Sequence, residues 1–291
     1  MKSYSKNTLK FNKLKKNKVL KNINMKDPNK IGGLMLKKKF KKDSHQNPLI
    51  SIIMPNYKSK KLLNSITSVL NQSYKNIELI VIDGNSGNST IKILKNFKNK
   101  LDLWISENDR GMWDAWNKGF KLANGRFVGV VDSSNKLYPN AMEILSGYIK
   151  KNPKIDFICG TVKKDGRLYG GLQADKIYTK FNIIPSSVVG FFIKNSSLKK
   201  VGYLNLKYKI QADYDFLYRI IVKHKLKGIN SKGKEIFGDL GDSGFSKNYN
   251  FFETLSNEIK IRNDNGQNKF TLIYIILGKS LTKLFNLMFR S

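Results

Sequence analysis

The sequence predicts an open α/β domain, a mostly parallel sheet flanked by helices, with a basic N-terminal arm and C-terminal helices added to it. Two observations carry this. Short apolar runs of strand length, Leu49–Met54, Ile77–Ile82, Leu101–Ser106, Phe127–Val131 and Ile155–Gly160, alternate with segments of helical period, which is the pattern of a sheet with much parallel pairing. Turn-forming clusters close three of the runs: Pro55-Asn56-Tyr57 follows the first, Asp83-Gly84-Asn85 the second and Asp132-Ser133-Ser134-Asn135 the fourth. Ligands of such sheets gather beyond the carboxyl ends of the strands, where the strand order reverses. With the order 3-2-1-4, the three clusters share one rim.

Along the chain, Met1–Asn47 holds mostly Lys and Asn with scattered apolar residues. It has no sustained period, so it reads as a basic, largely disordered arm with a short helix around Leu9–Leu20. The character changes at Pro48, where the main domain begins, covering residues 48–250. Leu62, Ile66, Val69 and Leu70 fall at helical spacing after the first strand, and a further helix is expected over Ser89–Phe97. After Gly160 the pattern loosens into turns and short strands, Arg167–Gly171 and Val188–Lys194 among them. A helix then runs over Ala212–His224 and buries Phe216, Leu217, Ile220 and Ile221. The closing segment, residues 251–291, holds a polar helix near Glu253–Arg262 and an apolar, Lys-punctuated helix over Phe270–Phe289.

A chain of 291 residues can bury one substantial core. Its formal charge of +33 points to a polyanionic neighbour such as a phospholipid surface, a nucleic acid or a phosphorylated substrate, although a Lys- and Asn-rich composition also accounts for part of it. Nothing resembles a helix-turn-helix, a zinc finger or an RNA-binding aromatic pair, so nucleic acid is not the expected partner. The lone Cys159 sits in an apolar run and reads as a small core residue. His45 and His224 stand apart from any ligand cluster, which argues against zinc. No uninterrupted apolar run reaches membrane-spanning length, and the basic amino terminus lacks a secretory apolar segment, so export is not expected. Ile273, Ile276, Leu277, Leu281, Leu284, Phe285 and Met288 keep near-helical spacing beside Lys279, Lys283 and Arg290. That pattern suits an interfacial helix on an anionic membrane, or one packed on the protein's own core.

Four strings stand in order: SIIMPNYKSKKLLNSITSVLNQSY, IELIVIDGNSG, ENDRGMWDAWNKGFKLANGRFVGVVDSSN and IQADYDFLYRI. Together they resemble a family 2 glycosyltransferase of the GT-A fold over Pro48–Lys225, of the bacterial type that builds capsular, exopolysaccharide or O-antigen chains. The resemblance implies an inverting transfer of sugar from a nucleoside-diphosphate sugar to a hydroxyl of a glycan or lipid-linked acceptor. UDP is the favoured nucleotide and GDP the second. It also implies work in the cytoplasm, at the inner face of a membrane.

By the same resemblance, Pro55, Asn56 and Tyr57 hold the nucleotide base, with the Tyr57 ring available for stacking. Asp83 accepts a hydrogen bond from the base, which suits an N–H of uracil or guanine; capping the following helix as an Asx-turn is its plainer role. Arg110, Asp114 and Asn117 line the donor pocket at a helix start, where anions are favoured. Asp109 reads as the cap of that helix, and Trp113 and Trp116 as core residues or acceptor-side walls. Asp132 and Ser133 meet the diphosphate. The family usually shows Asp-x-Asp with a further Asp; here Ser134 and Asn135 replace the later carboxylates. A Mg²⁺ or Mn²⁺ cofactor is expected on Asp132 in a looser site, with water, the diphosphate and optionally Asn135 completing its shell; stabilisation of the diphosphate by nearby Lys and Arg without a metal stays open beside it, as does lost activity.

Asp213 stands where the family carries its catalytic base; as a first-turn carboxylate it also favours the helix dipole. Asp215 is expected to pair with Arg219 one turn on. Ala212 replaces the first residue of a frequent acidic pair. The reduced carboxylate set leaves a second reading open, a non-catalytic domain that binds without turnover. The acceptor pocket is expected within Gly160–Lys209, and a lid at Gly241–Gly244.

Overall fold

The computed structural model describes residues 27–179, 187–241 and 249–289. The helix expected at Leu9–Leu20 and most of the proposed lid lie outside them. The first strand, β1 (Ile31–Gly32), is followed by β2 (Ile50–Asn56), α1 (Leu62–Leu70), β3 (Ile77–Asp83), α2 (Asn88–Asn96), β4 (Leu103–Ser106), α3 (Met112–Leu122) and β5 (Phe127–Val130). Next come β6 (Lys136–Leu137), α4 (Ala141–Lys151), β7 (Phe157–Cys159), β8 (Thr161–Lys164), β9 (Arg167–Tyr169) and β10 (Phe191–Lys194). The described chain ends with α5 (Asn195–Val201), α6 (Ala212–Tyr218), β11 (Gly228–Asn230), β12 (Ile236–Asp239), α7 (Phe251–Asp264) and α8 (Lys269–Met288).

The large sheet has eight strands in the order β1-β4-β3-β2-β5-β10-β7-β11. Its centre, β4-β3-β2-β5, is parallel throughout and has the 3-2-1-4 order that a shared rim requires. Every residue of β2 and β3 is buried, as expected of strands covered on both faces. Alternation divides their side chains. Ile53, Ile80 and Ile82 join Trp116 and Phe120 of α3 and Phe216 and Leu217 of α6. Ile52, Met54, Leu79 and Val81 join Leu62 and Ile66 of α1 and Leu145 of α4. Two apolar layers thus sandwich the sheet. α3 comes close to β2 because Gly119 has no side chain there: a Cβ at that position would stand 2.1 Å from Ile53 Cγ2.

The fold differs from the sequence reading in two places. β10 inserts between β5 and β7, antiparallel to both, so the run at Ile155–Gly160 does not extend the parallel order directly. The arm expected to reach Asn47 is corrected from Asp27 onward. β1 pairs antiparallel with β4, Met35 is buried, and Lys41 forms a 3.0 Å ion pair with buried Asp102. A short amphipathic strap that caps a sheet edge has no period long enough to read. A second sheet, β6-β12-β8-β9, flanks the first beyond β5.

The C-terminal helices join the domain through buried charge. Arg262 is fully buried and donates to Glu258 Oε1 at 2.9 Å, to the carbonyls of Ile177 and Tyr178, and to Gln267. Asn265 also donates to Asp215 at 2.9 Å, which ties the end of α7 to α6.

Candidate active site

The sheet register itself builds a polar floor at the carboxyl ends of the central strands. Asn56 ends β2 opposite Asp83 of β3, and Asp83 stands opposite Ser106 of β4. Asp83 is fully buried and accepts four hydrogen bonds: from Asn56 Nδ2 at 2.6 Å, Ser106 Oγ at 2.6 Å, Ser86 Oγ at 2.5 Å and the Ser86 amide at 3.1 Å. It therefore lies beneath the rim and holds its turn. Asn56 Oδ1, by contrast, is buried without a hydrogen-bond partner.

Above this floor opens a cleft of about 680 Å³. Pro55, Asn56, Tyr57, Asp132, Ser133 and Ser134 line it, and Lys58, Ser59, Gly84, Asn85, Asn108, Asp109, Gly111, Met112 and Ala115 complete the wall. Tyr57 is 66% exposed, so one ring face is open to a planar partner. Ser59 Oγ donates to the Ser133 carbonyl at 2.8 Å and fixes the Tyr57 loop to the Asp132 turn.

Asp132 is nearly buried, and that burial raises its carboxyl pKa against the opposing bonds from Ser134. Its Oδ1 accepts from Ser134 N at 3.1 Å, Ser134 Oγ at 2.7 Å and Asn135 Nδ2 at 2.8 Å. Oδ2 accepts none among the described residues. The tetrad thus works as a self-bonded turn that fixes one carboxylate oxygen and leaves the other for the cleft. Asn135 is not a metal ligand in this arrangement, contrary to expectation, because its Oδ1 accepts the Gly241 amide at 2.7 Å. No group of three or more His, Cys, Asp or Glu side chains among the described residues could hold a metal. One hard oxygen at a cleft fits a divalent ion whose remaining ligands come from diphosphate and water.

Met112 and Ala115 of α3 line the cleft, while Asp114 of the same helix and Arg110 before its start do not. Asp114 accepts from the Arg110 amide at 3.1 Å and lies 3.5 Å from Lys118 Nζ. Burial opposes its ionisation, but the Arg110 amide and the Lys118 and Arg110 charges outweigh it, and the pKa falls below the usual range. Asn117 is corrected from donor contact to structural tie: its Nδ2 and Oδ1 each bond the Leu204 backbone at 2.9 Å. Asp109, read as a helix cap, does accept the Gly111 amide at 2.9 Å, and it also faces the cleft. Asn85, on the rim as its turn cluster predicts, and Asn108, within the third string, are wall residues to which the sequence reading gives no individual role. They bond to each other at 3.0 Å, and Lys30 of the N-terminal strap donates to Asn85 at 3.0 Å. The Asp83-to-Gly87 turn cluster is the sequence signal for Asn85, and its left-handed backbone, φ 58°, is one that Asn tolerates.

Asp213 does not line this cleft. It borders a small apolar cavity behind α3, beside Trp116, Val130 and Phe216. Ser187 Oγ donates to its Oδ2 at 2.8 Å and the Tyr214 amide to its Oδ1 at 3.0 Å. Burial raises its pKa against both bonds. Asp215 pairs with Arg219 at 3.0 Å, as the spacing predicts.

The glucosyltransferase WfgD of Escherichia coli, UDP-Glc:alpha-D-GlcNAc-diphosphoundecaprenol beta-1,3-glucosyltransferase, is 27% identical over 234 residues, 79% of this chain and 91% of that protein. A PGL/p-HBAD biosynthesis glycosyltransferase of Mycobacterium tuberculosis is 27% identical over 180 residues, 59% of this chain and 69% of that protein. Staphylococcus aureus TarS 1-349 in complex with UDP-GlcNAc shares the fold with a TM-score of 0.58 at 18% identity, covering 78% of this chain and 71% of that one. Mannosyltransferase PcManGT from Pyrobaculum calidifontis, in complex with GDP-Man and Mn²⁺, does so with a TM-score of 0.54 at 14% identity, covering 94% and 76%. The model of glycosyl transferase family 2 matches residues 51–217, and with the GT-A architecture around it the chain belongs to that family of glycosyltransferases.

Proposed function

We propose that the protein is an inverting transferase that moves a sugar from a UDP-sugar to a hydroxyl of a lipid-linked sugar or glycan in bacterial polysaccharide or glycolipid assembly. The observation that carries this is the shared cleft: the Tyr57 loop and the Asp132 turn, 74 residues apart at Ser59 and Ser133, are joined around one hollow of about 680 Å³. Support for the donor comes from the UDP-sugar in the name of the Escherichia coli relative and the UDP-GlcNAc bound to TarS. The acceptor class follows the diphosphoundecaprenol-linked sugar in the same relative's name. A lipid-linked acceptor places the work at the cytoplasmic face of a membrane.

In this reading the base lies against Tyr57, while Asp83 holds the loop that carries Asn85 and Ser86. Asp132 Oδ2 and Ser133 face the diphosphate. A divalent ion held by Asp132 would neutralise charge on the leaving nucleoside diphosphate. The acceptor hydroxyl attacks the anomeric carbon, the bond from that carbon to the diphosphate oxygen breaks, and the hydroxyl proton passes to Asp213, whose motif position assigns it that role and which must turn from Ser187 and the cavity behind α3 to reach the cleft. Burial raises its pKa, which makes it a stronger proton acceptor than an ordinary carboxylate. Asn117 and Arg110 have no part in that chemistry.

The test is a donor screen, with and without Mn²⁺ and with a lipid-linked sugar acceptor, that follows release of free nucleoside diphosphate. UDP release that requires acceptor is the expected result. Donor binding without consumption, across sugars and metals, would instead establish the non-catalytic reading.

A further inference from the structure

α8 carries its apolar surface on the wrong side for a helix that belongs to a core. Leu272 and Ile275 are its only buried residues, and Lys279 and Lys283 continue the same strip one and two turns on. That strip turns toward α7: Lys279 pairs with buried Glu258, and Lys283 Nζ lies 5.9 Å from the centroid of the Phe251 ring. The opposite side holds Phe270, Ile273, Tyr274, Leu277, Leu281 and Phe285, each between 54% and 82% exposed. At 3.6 residues per turn these form one broad apolar face with Ser280 as its polar interruption. The protein-facing strip is thus half apolar and half lysine, while the broader apolar face meets solvent, more apolar surface than an ordinary surface helix leaves open.

We infer that α8 is a membrane-docking element that lies along an anionic lipid leaflet, inserting its outward apolar face while α7 holds its lysine strip. Charge selects the occupant. The chain carries a formal charge of +33, and α8 contains three lysines and no acidic residue. A second copy would bring a second chain of the same net charge, +33, and be repelled as a whole, whereas anionic headgroups attract it. α8 has 20 residues and an 18-residue stretch of mean hydropathy 1.3, long and apolar enough to cross a membrane. Crossing would carry Lys279 and Lys283 into hydrocarbon and separate Lys279 from Glu258, so the in-plane orientation is the one that keeps the observed contacts. This inference rests on the helix and is independent of the chemistry proposed for the cleft.

The experiment is sedimentation of the full chain with vesicles of phosphatidylcholine alone or mixed with phosphatidylglycerol. The parent and the Leu277→Glu, Leu281→Glu double variant are compared, with thermal unfolding recorded for each. Unchanged melting with about tenfold or greater preference for the anionic vesicles, lost by about tenfold or more in the double variant, is expected. No vesicle binding, or equal binding by both proteins, would overturn the inference. So would a lipid-free dimer that the double variant abolishes, since it makes the face a contact between copies. Retention in cell membranes after alkaline carbonate washing would replace the in-plane helix with a spanning one. If the double variant unfolds, Leu277→Ser with Leu281→Ser supplies the same comparison with less disturbance.

Discussion

Asp132 keeps one carboxylate oxygen for its own turn and offers the other to the cleft. The Ser134 and Asn135 side chains that replace the family's later carboxylates are the donors that hold Oδ1. The missing acids have thus become orienting hydrogen bonds. Asp132→Ala removes both functions, and donor affinity together with any metal dependence is expected to fall by about tenfold or more, as loss of a charge-assisted contact does. Isothermal titration with UDP and Mn²⁺ measures both, and normal values for each would remove the turn from the phosphate site. Asp213 acts through its ionised form. Burial raises its pKa in the folded protein, so kcat should fall as pH drops through a value above that of an ordinary carboxylate and recover above it. Asp213→Asn should abolish transfer and leave nucleotide affinity within a few-fold. Retained turnover in that variant would exclude it as the base.

The elements show why some of this was legible and some not. Strands β2 to β5 announce themselves as apolar runs ended by turn residues, and their order and shared rim follow from short right-handed connections. The Asp165-Gly166 turn between β8 and β9, with φ of 48° and 76°, was also readable as a two-residue hairpin. β10 was not, because its place between β5 and β7 is decided by pairing across the sheet and by no local period. Asn117 illustrates the same limit within a helix. Its motif position suggested a ligand, yet the turn of α3 points it at Leu204, where it meets both backbone groups of a buried residue. Asn117→Ala leaves that N–H and C=O unpaired and should cost about 1–3 kcal/mol of stability. Thermal unfolding would register this as a lower Tm, with kcat of the remaining folded enzyme close to the parent's. A fall in kcat at unchanged Tm would return Asn117 to the donor site.

At the scale of the molecule, the N-terminal strap decides how far the catalytic domain extends. Residues 27–47 close the β4 edge, and Lys41 meets an Asp102 that is almost wholly buried and also accepts the Leu79 amide at 2.8 Å. Burial raises the Asp102 pKa, against the Lys41 charge and these bonds. A folded-state pKa above the unfolded value means that ionised Asp102 burdens the fold increasingly as pH rises through that window, and Lys41 relieves the burden. A chain starting at Pro48 keeps the buried carboxylate and loses its partner, an imbalance that costs about 3–5 kcal/mol when the charge is fully desolvated. It should therefore melt about 6 °C or more below a chain starting at Asp27, taking roughly 2 °C per kcal/mol for a domain of this size. The gap should narrow as pH falls through the raised pKa, because protonated Asp102 no longer needs an ammonium. Calorimetric scans of the two truncations over a pH series measure it, and equal melting temperatures at neutral pH would mean that the strap only covers the edge.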